Sequence, residues 1–129
     1  MEALGRRALA CPRWRWMSGM SASGPGWFES ATIVDVEPDG SCPTLWVYRG
    51  YARGPQAANR FADTDEWDGG GIPELDDPAT LGCVVALIRT LSGGKCAFDD
   101  DWCRVTVPWG DYETVLFAEA LVAALEAAP

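Results

Sequence analysis

The chain of 129 residues carries 19 acidic and 10 basic side chains for a net charge of −9, is 48% hydrophobic, and contains no histidine. Its length fits one domain that buries roughly two thirds of the surface of the unfolded chain, and its composition is that of a folded protein and not of a disordered tail. Without histidine, Ser-His-Asp and Cys-His hydrolysis are excluded, and the negative charge opposes direct nucleic-acid binding.

Residues 2–10, "EALGRRALA", fit a short amphipathic helix with Leu4, Ala8 and Leu9 on one side, weakened by Gly5. Glu2, Arg6 and Arg7 stand where an export signal would have its apolar segment, so a cytoplasmic location in a bacterial cell is expected. The stretch "CPRWRWMSGM" (11–20) alternates Trp and Arg. Read as a half-buried strand, it turns Trp14 and Trp16 inward and Arg13 and Arg15 to solvent. The rival reading, rings stacking on bases with Arg holding phosphates, needs a positive field that this chain lacks.

Residues 31–50 hold two β-rich runs around "EPDGS", the turn chemistry of a hairpin. With the Trp14 strand they make a three-stranded antiparallel meander. Residues 51–77 lose all periodicity, and "DTDEWDGGGIPELDD" brings seven acids, three consecutive glycines and no basic residue. A long exposed acidic loop is expected here. Asp63, Asp65 and Glu74 stand at the first, third and twelfth places of a calcium loop, but Trp67 and Asp68 occupy the central places that need an oxygen ligand and a glycine.

The segment "DDPATLGCVVALIRTLSGG" predicts a helix capped by Asp77, opened by Pro78 and ended by glycines, apolar on most sides. "SGGK" (92–95) lacks the frame that cradles phosphate, and no cofactor is expected. "KCAFDDDWCRVTVP" (95–108) reads as a hairpin. With three Asp in the loop, Phe98 faces Trp102 and the thiols of Cys96 and Cys103 stay apart; with two, those cysteines meet. The first register is expected, because it pairs the two aromatics and leaves the carboxylates in water. Asp99, Asp100 and Asp101 are also the weak candidates for a divalent metal. "DYETVLFAEALVAALEAA" (111–128) fits a closing helix capped by Asp111.

Five cysteines with no CxxC pair argue against a disulfide framework and against structural zinc. The longest apolar run, "CVVALI" (83–88), is far too short to cross a membrane. The expected architecture is therefore α+β: a single two-layer domain with an antiparallel meander packed against one or two helices.

The segments "RALAC...WRWMSGM", "LDDPATLGCVVALIR" and "EALVAALEAAP" together resemble small proteins encoded by bacteriophages and prophages of proteobacteria. The resemblance covers about half of the chain and carries no activity with it. It implies a phage setting, in which small acidic proteins act by binding a host protein.

Charge is unevenly distributed: residues 1–62 net +2 and residues 63–129 net −11. Such a field attracts basic protein surfaces. The first functional expectation is a non-enzymatic module, monomeric or homodimeric, that engages a basic host protein through Asp63, Asp65, Glu66, Asp68, Glu74 and Asp76, its carboxylates standing where phosphates would. The others are a metal-dependent hydrolase or nuclease built on Asp99, Asp100 and Asp101, and a self-associating structural protein.

Overall fold

The computed structural model describes residues 1–23, 30–36, 43–48, 58–61 and 71–129, with residues 34, 35, 43–48 and 58–61 described by backbone alone. In chain order these form α1 (Glu2–Ala10), β1 (Ser21–Ser23), β2 (Ala31–Val36), β3 (Pro43–Tyr48), β4 (Ala58–Phe61), β5 (Ile72–Pro73), α2 (Pro78–Leu91), β6 (Ala97–Asp99), β7 (Arg104–Val107), β8 (Gly110–Glu113) and α3 (Phe117–Glu126). The class is α+β.

The antiparallel strands form two sheets. The larger has the order β4-β3-β2-β1-β5 and the smaller the order β6-β7-β8. Strands β2 and β3 pair antiparallel, Ile33 with Leu45, with a bulge between Ile33 and Asp35, while the expected turn "EPDGS" lies outside the described residues. The Trp14 segment does not join them as a third strand. Residues 12–20 carry no strand; β1 follows them, pairing with β2 on one side and β5 on the other. Pro12 lacks an N–H, and Trp14 N donates to Cys11 O in a turn, so the backbone leaves α1 without a ladder to join.

The side-chain alternation of that segment survives without the strand: Trp16 is 6% exposed, Trp14 is half-buried, and Arg13 and Arg15 are exposed. The two indoles meet edge to face, with centroids 5.4 Å apart.

The stretch 51–77 is not wholly loop. Ala58–Phe61 adds to the sheet edge through Trp46↔Arg60 and Val47↔Asn59, and Ile72–Pro73 pairs with β1. Sequence patterning is weak in both because each is short and borrows its order from a partner strand.

Helix α2 begins as its sequence dictates, with Asp77 Oδ2 accepting from Thr80 N at 2.9 Å and Pro78 in the first turn. It ends at Gly93 and Gly94, whose φ of +63° and +80° suit glycine. One face is buried through Thr80, Val84, Leu87 and Ile88, while Leu81, Cys83, Val85 and Ala86 stay partly exposed. The expectation of burial on most sides is corrected to a single buried face.

Neither expected register of the second hairpin is adopted. Phe98 faces Val105 and Asp99 faces Arg104, so the connection takes Asp100 to Cys103, and Cys103 adopts a left-handed φ of +50°. Trp102 lies in that turn and not opposite Phe98. Asp111 does not cap a helix: it lies in β8 opposite Thr106, and the closing helix starts only at Phe117 with no side-chain cap. Strand pairing outcompetes the cap because Val105↔Tyr112 continues the inward face of β7.

The larger core cluster among the described residues joins Leu4 of α1, Ala22 of β1, Ile33 of β2, Val84 and Ile88 of α2, Val105 of β7 and Leu121 of α3. Trp109 Nε1 donates to Ala124 O at 2.8 Å and fixes the β7–β8 turn to α3. Among the described residues, no helix is long and apolar enough to cross a membrane.

Trp16→Ala is expected to lower stability by about 3 kcal/mol or more, since the buried indole leaves a cavity. A denaturant titration in which mutant and wild type unfold together would show that the indole carries no core contact. Thr80→Val is expected to cost about 1–3 kcal/mol because it strands the Ser21 N–H that the hydroxyl satisfies. The same titration reads it.

Candidate functional site

The acidic residues with a concave setting lie where α1 meets the edge of the larger sheet. A cleft of about 310 Å³ is lined by Met1 and Glu2 of the α1 start, Ser23 at the end of β1, Ile72 and Pro73 of β5, and Glu74 and Asp76 beyond it. Its walls come together because α1 has a glycine at the contact. A Cβ on Gly5 would stand 2.5 Å from Ile72 Cγ2 and 2.7 Å from Pro73 O, so any larger residue would push the helix off β5.

The far wall is held by backbone. Glu74 N donates to Ser21 O at 2.9 Å, extending the β1–β5 ladder, and Asp77 N donates to Glu74 O at 3.1 Å in the turn leading into α2. Ser21 N donates to the buried Thr80 hydroxyl at 2.8 Å, which itself donates to Asp77 Oδ2 at 2.9 Å. Glu74 and Asp76 are thus carried on a segment braced by both β1 and α2.

Within the cleft the carboxylates differ. Asp76 is exposed, and Glu2 pairs with Arg6 at 2.9 Å along α1. Glu74 Oε1 is buried and has no hydrogen-bond partner among the described residues. Buried polar atoms are nearly always satisfied, so this oxygen calls for a donor that the described residues do not supply. No basic side chain stands among the described lining residues.

Of the six partner-binding candidates, the structure brings Glu74 and Asp76 together. Asp63, Asp65, Glu66 and Asp68 lie outside the described residues. Glu2 was missed by sequence reasoning, because nothing in "MEALG" signals that the first turn of a helix faces a segment more than seventy residues later.

The weak metal candidates Asp99, Asp100 and Asp101 do converge. One ligand oxygen from each lies within 4.8 Å of the others, and all three residues are exposed. Asp99 Oδ1 also accepts from Trp102 N at 3.2 Å, so part of this cluster holds its own turn. The neighbouring acids on the outer face of the small sheet are occupied differently. Asp111 grips the Arg104 guanidinium through both carboxylate oxygens. That hydrogen bonding holds the Asp111 carboxyl below its usual range and raises Arg104 further.

Two of the described cysteines, Cys11 and Cys83, are the reverse of activated nucleophiles. Cys11, Cys83, Cys96 and Cys103 are free thiols. Burial, with Glu126 nearby, pushes the Cys11 thiol up to about 11, and its Sγ donates to Arg7 O at 3.3 Å. Burial raises Cys83 as well. Both stay protonated near neutral pH, the reverse of a catalytic thiolate. Cys42 lies outside the described residues.

No protein-family model, curated protein or solved structure matches the chain.

Because the Cys11 thiol ionises near 11 and not the ordinary 9.0, its thiolate fraction at pH 8 is roughly a hundredfold lower than in the unfolded chain. Cys11 in the native protein should therefore label with a thiol reagent at least that much more slowly than in urea. Mass-spectrometric mapping of labelled peptides over time checks this, and equal rates would mean the thiol is open to solvent.

Proposed function

We propose that the protein is a non-enzymatic binding module that engages a basic protein by drawing a Lys or Arg side chain into the cleft of Glu2, Glu74 and Asp76. The buried Glu74 oxygen, unpaired among the described residues, carries this reading: a cationic donor entering the cleft would satisfy it, with Asp76 adding charge at the mouth and Ile72 and Pro73 receiving the methylene stem. The net −11 of residues 63–129 supports a basic partner, since it speeds encounter with positive surfaces, including those that otherwise hold nucleic acid. The resemblance to phage-encoded proteins supports a bacterial host as the source of that partner, with carboxylates standing in for phosphates.

Capture from bacterial lysate by immobilised protein tests this. A partner held at low salt, released at high salt and lost from a Glu74→Gln/Asp76→Asn double variant is the expected result. A partner indifferent to salt, or held equally by the double variant, overturns it. Glu74→Gln alone is expected to melt no lower than wild type, because the buried oxygen has no partner to lose among the described residues.

The convergence of Asp99, Asp100 and Asp101 favours a second reading, a divalent-metal-dependent hydrolase in which these carboxylates hold the ion. A rise in melting temperature with millimolar Mg²⁺, Mn²⁺ or Ca²⁺ that disappears in Asp100→Asn would support it; an unchanged melt removes it.

A further inference from the structure

Three large apolar side chains stand in solvent at one end of the small sheet: Trp102 is 71% exposed, Val115 87% and Leu116 47%. Their two segments are joined directly. Thr114 N donates to Cys103 O at 3.2 Å, and Cys103 Sγ lies 3.5 Å from Val115 O. Exposed apolar residues are ordinary when scattered, but gathered on adjoining segments and rimmed by charge they mark a contact surface.

The backbone under this patch is held. Asp99 Oδ1 secures Trp102 N, and Leu116 O accepts from Glu119 N at 3.0 Å, from Ala120 N at 3.2 Å and from Thr114 Oγ1 at 2.6 Å. A tryptophan presented on a fixed turn loses little further freedom on binding and is the residue type most often found at the energetic centre of an interface.

The rim decides the occupant. Asp99, Asp100 and Asp101 are exposed beside Trp102, and Glu113 is exposed at the end of β8. Between residues 95 and 116 the basic side chains are Lys95 and Arg104, and Arg104 is gripped by Asp111. A second copy of the chain would set this acidic rim against itself, and a nucleic acid would meet the same repulsion. A segment with an apolar anchor flanked by Lys or Arg fits both features.

We propose that the Trp102–Val115–Leu116 patch is a docking surface for a basic amphipathic protein segment, whose apolar side chains cover Trp102 and Val115 while its cations meet Asp99, Asp100 and Asp101. This rests on the proposed affinity for a basic partner but uses a different surface from the cleft.

The probe is a Lys/Leu amphipathic peptide, with Lys/Ser and Glu/Leu peptides as controls, titrated by calorimetry and by amide chemical shift. The Lys/Leu peptide is expected to move the amides of residues 100–103 and 114–116 and to bind at least tenfold more tightly than either control. Trp102→Ala is expected to cost at least tenfold in affinity, and Asp100→Asn/Asp101→Asn to weaken binding and flatten its salt dependence. Because Trp102 is exposed, its variant keeps the fold, which the unchanged amide spectrum elsewhere verifies. Shifts spread over the whole acidic surface, or affinity unchanged by Trp102→Ala, overturn the proposal. Affinity lost on Glu74→Gln but kept in Trp102→Ala assigns binding to the cleft and overturns the patch alone; binding kept in both variants overturns both readings. Light scattering that shows a dimer dissolved by Trp102→Ala would overturn the choice of occupant.

Discussion

The hydroxyl of Thr80 is the junction on which the rest of the arrangement depends. Fully buried, it donates to the capping carboxylate of Asp77 and accepts from Ser21 N. One atom therefore ties the first turn of α2 to β1. Ser21 O in turn receives Glu74 N, which sets the edge strand β5 and the acidic segment after it. A valine of equal size would fill the same space yet leave the part-buried Ser21 N–H without this acceptor, which is why the polarity of this residue matters more than its volume.

From that junction the molecule extends in two directions. Toward α1, the absence of a side chain at Gly5 allows helix and β5 to touch, and the cleft opens beside the contact. Toward α3, the small sheet is clamped by the Trp109–Ala124 hydrogen bond, and α1 reaches the same helix through the pair of Arg7 with Glu126 at 2.6 Å. Cations described at these places are engaged internally: Arg6 by Glu2, Arg7 by Glu126, Arg13 by Pro129 O and Arg104 by Asp111. Exposed ion pairs of this kind add little stability. Among the described residues, none of these pairs uses Glu74, Asp76 or the carboxylates of Asp99, Asp100 and Asp101.

Much of the fold was legible because it rests on local chemistry. Asp77 and Pro78 start α2, Gly93 and Gly94 stop it, and the Pro-Asp-Gly stretch between residues 37 and 41 separates two β-rich runs that do pair. Burial of Trp16 and exposure of Arg13 and Arg15 were also legible, although the strand invoked for them does not exist. Alternation reports which side chains face inward, and it does so whether or not a ladder partner is present. The candidate site was legible only in part. Glu74 and Asp76 stood out as members of an acid-rich stretch, but their concave setting needs Glu2 and Ile72 brought next to them by the packing of α1 on β5.

By itself the sequence determined the α+β class, the limits of α2, the pairing of β2 with β3 and the excess of acid in the second half, because each follows from neighbouring residues or from a count. Tertiary structure alone decided the strands Ala58–Phe61 and Gly110–Glu113 and the register of the β6–β7 hairpin. The short strands are specified by what lies across from them, Trp46 opposite Arg60 and Val105 opposite Tyr112. The register turns on Cys103 taking a left-handed conformation and on Asp99 holding the Trp102 amide. Those choices leave Trp102 in solvent, and no local pattern encodes them, since competing registers differ by contacts that exist only once the partner strand is in place.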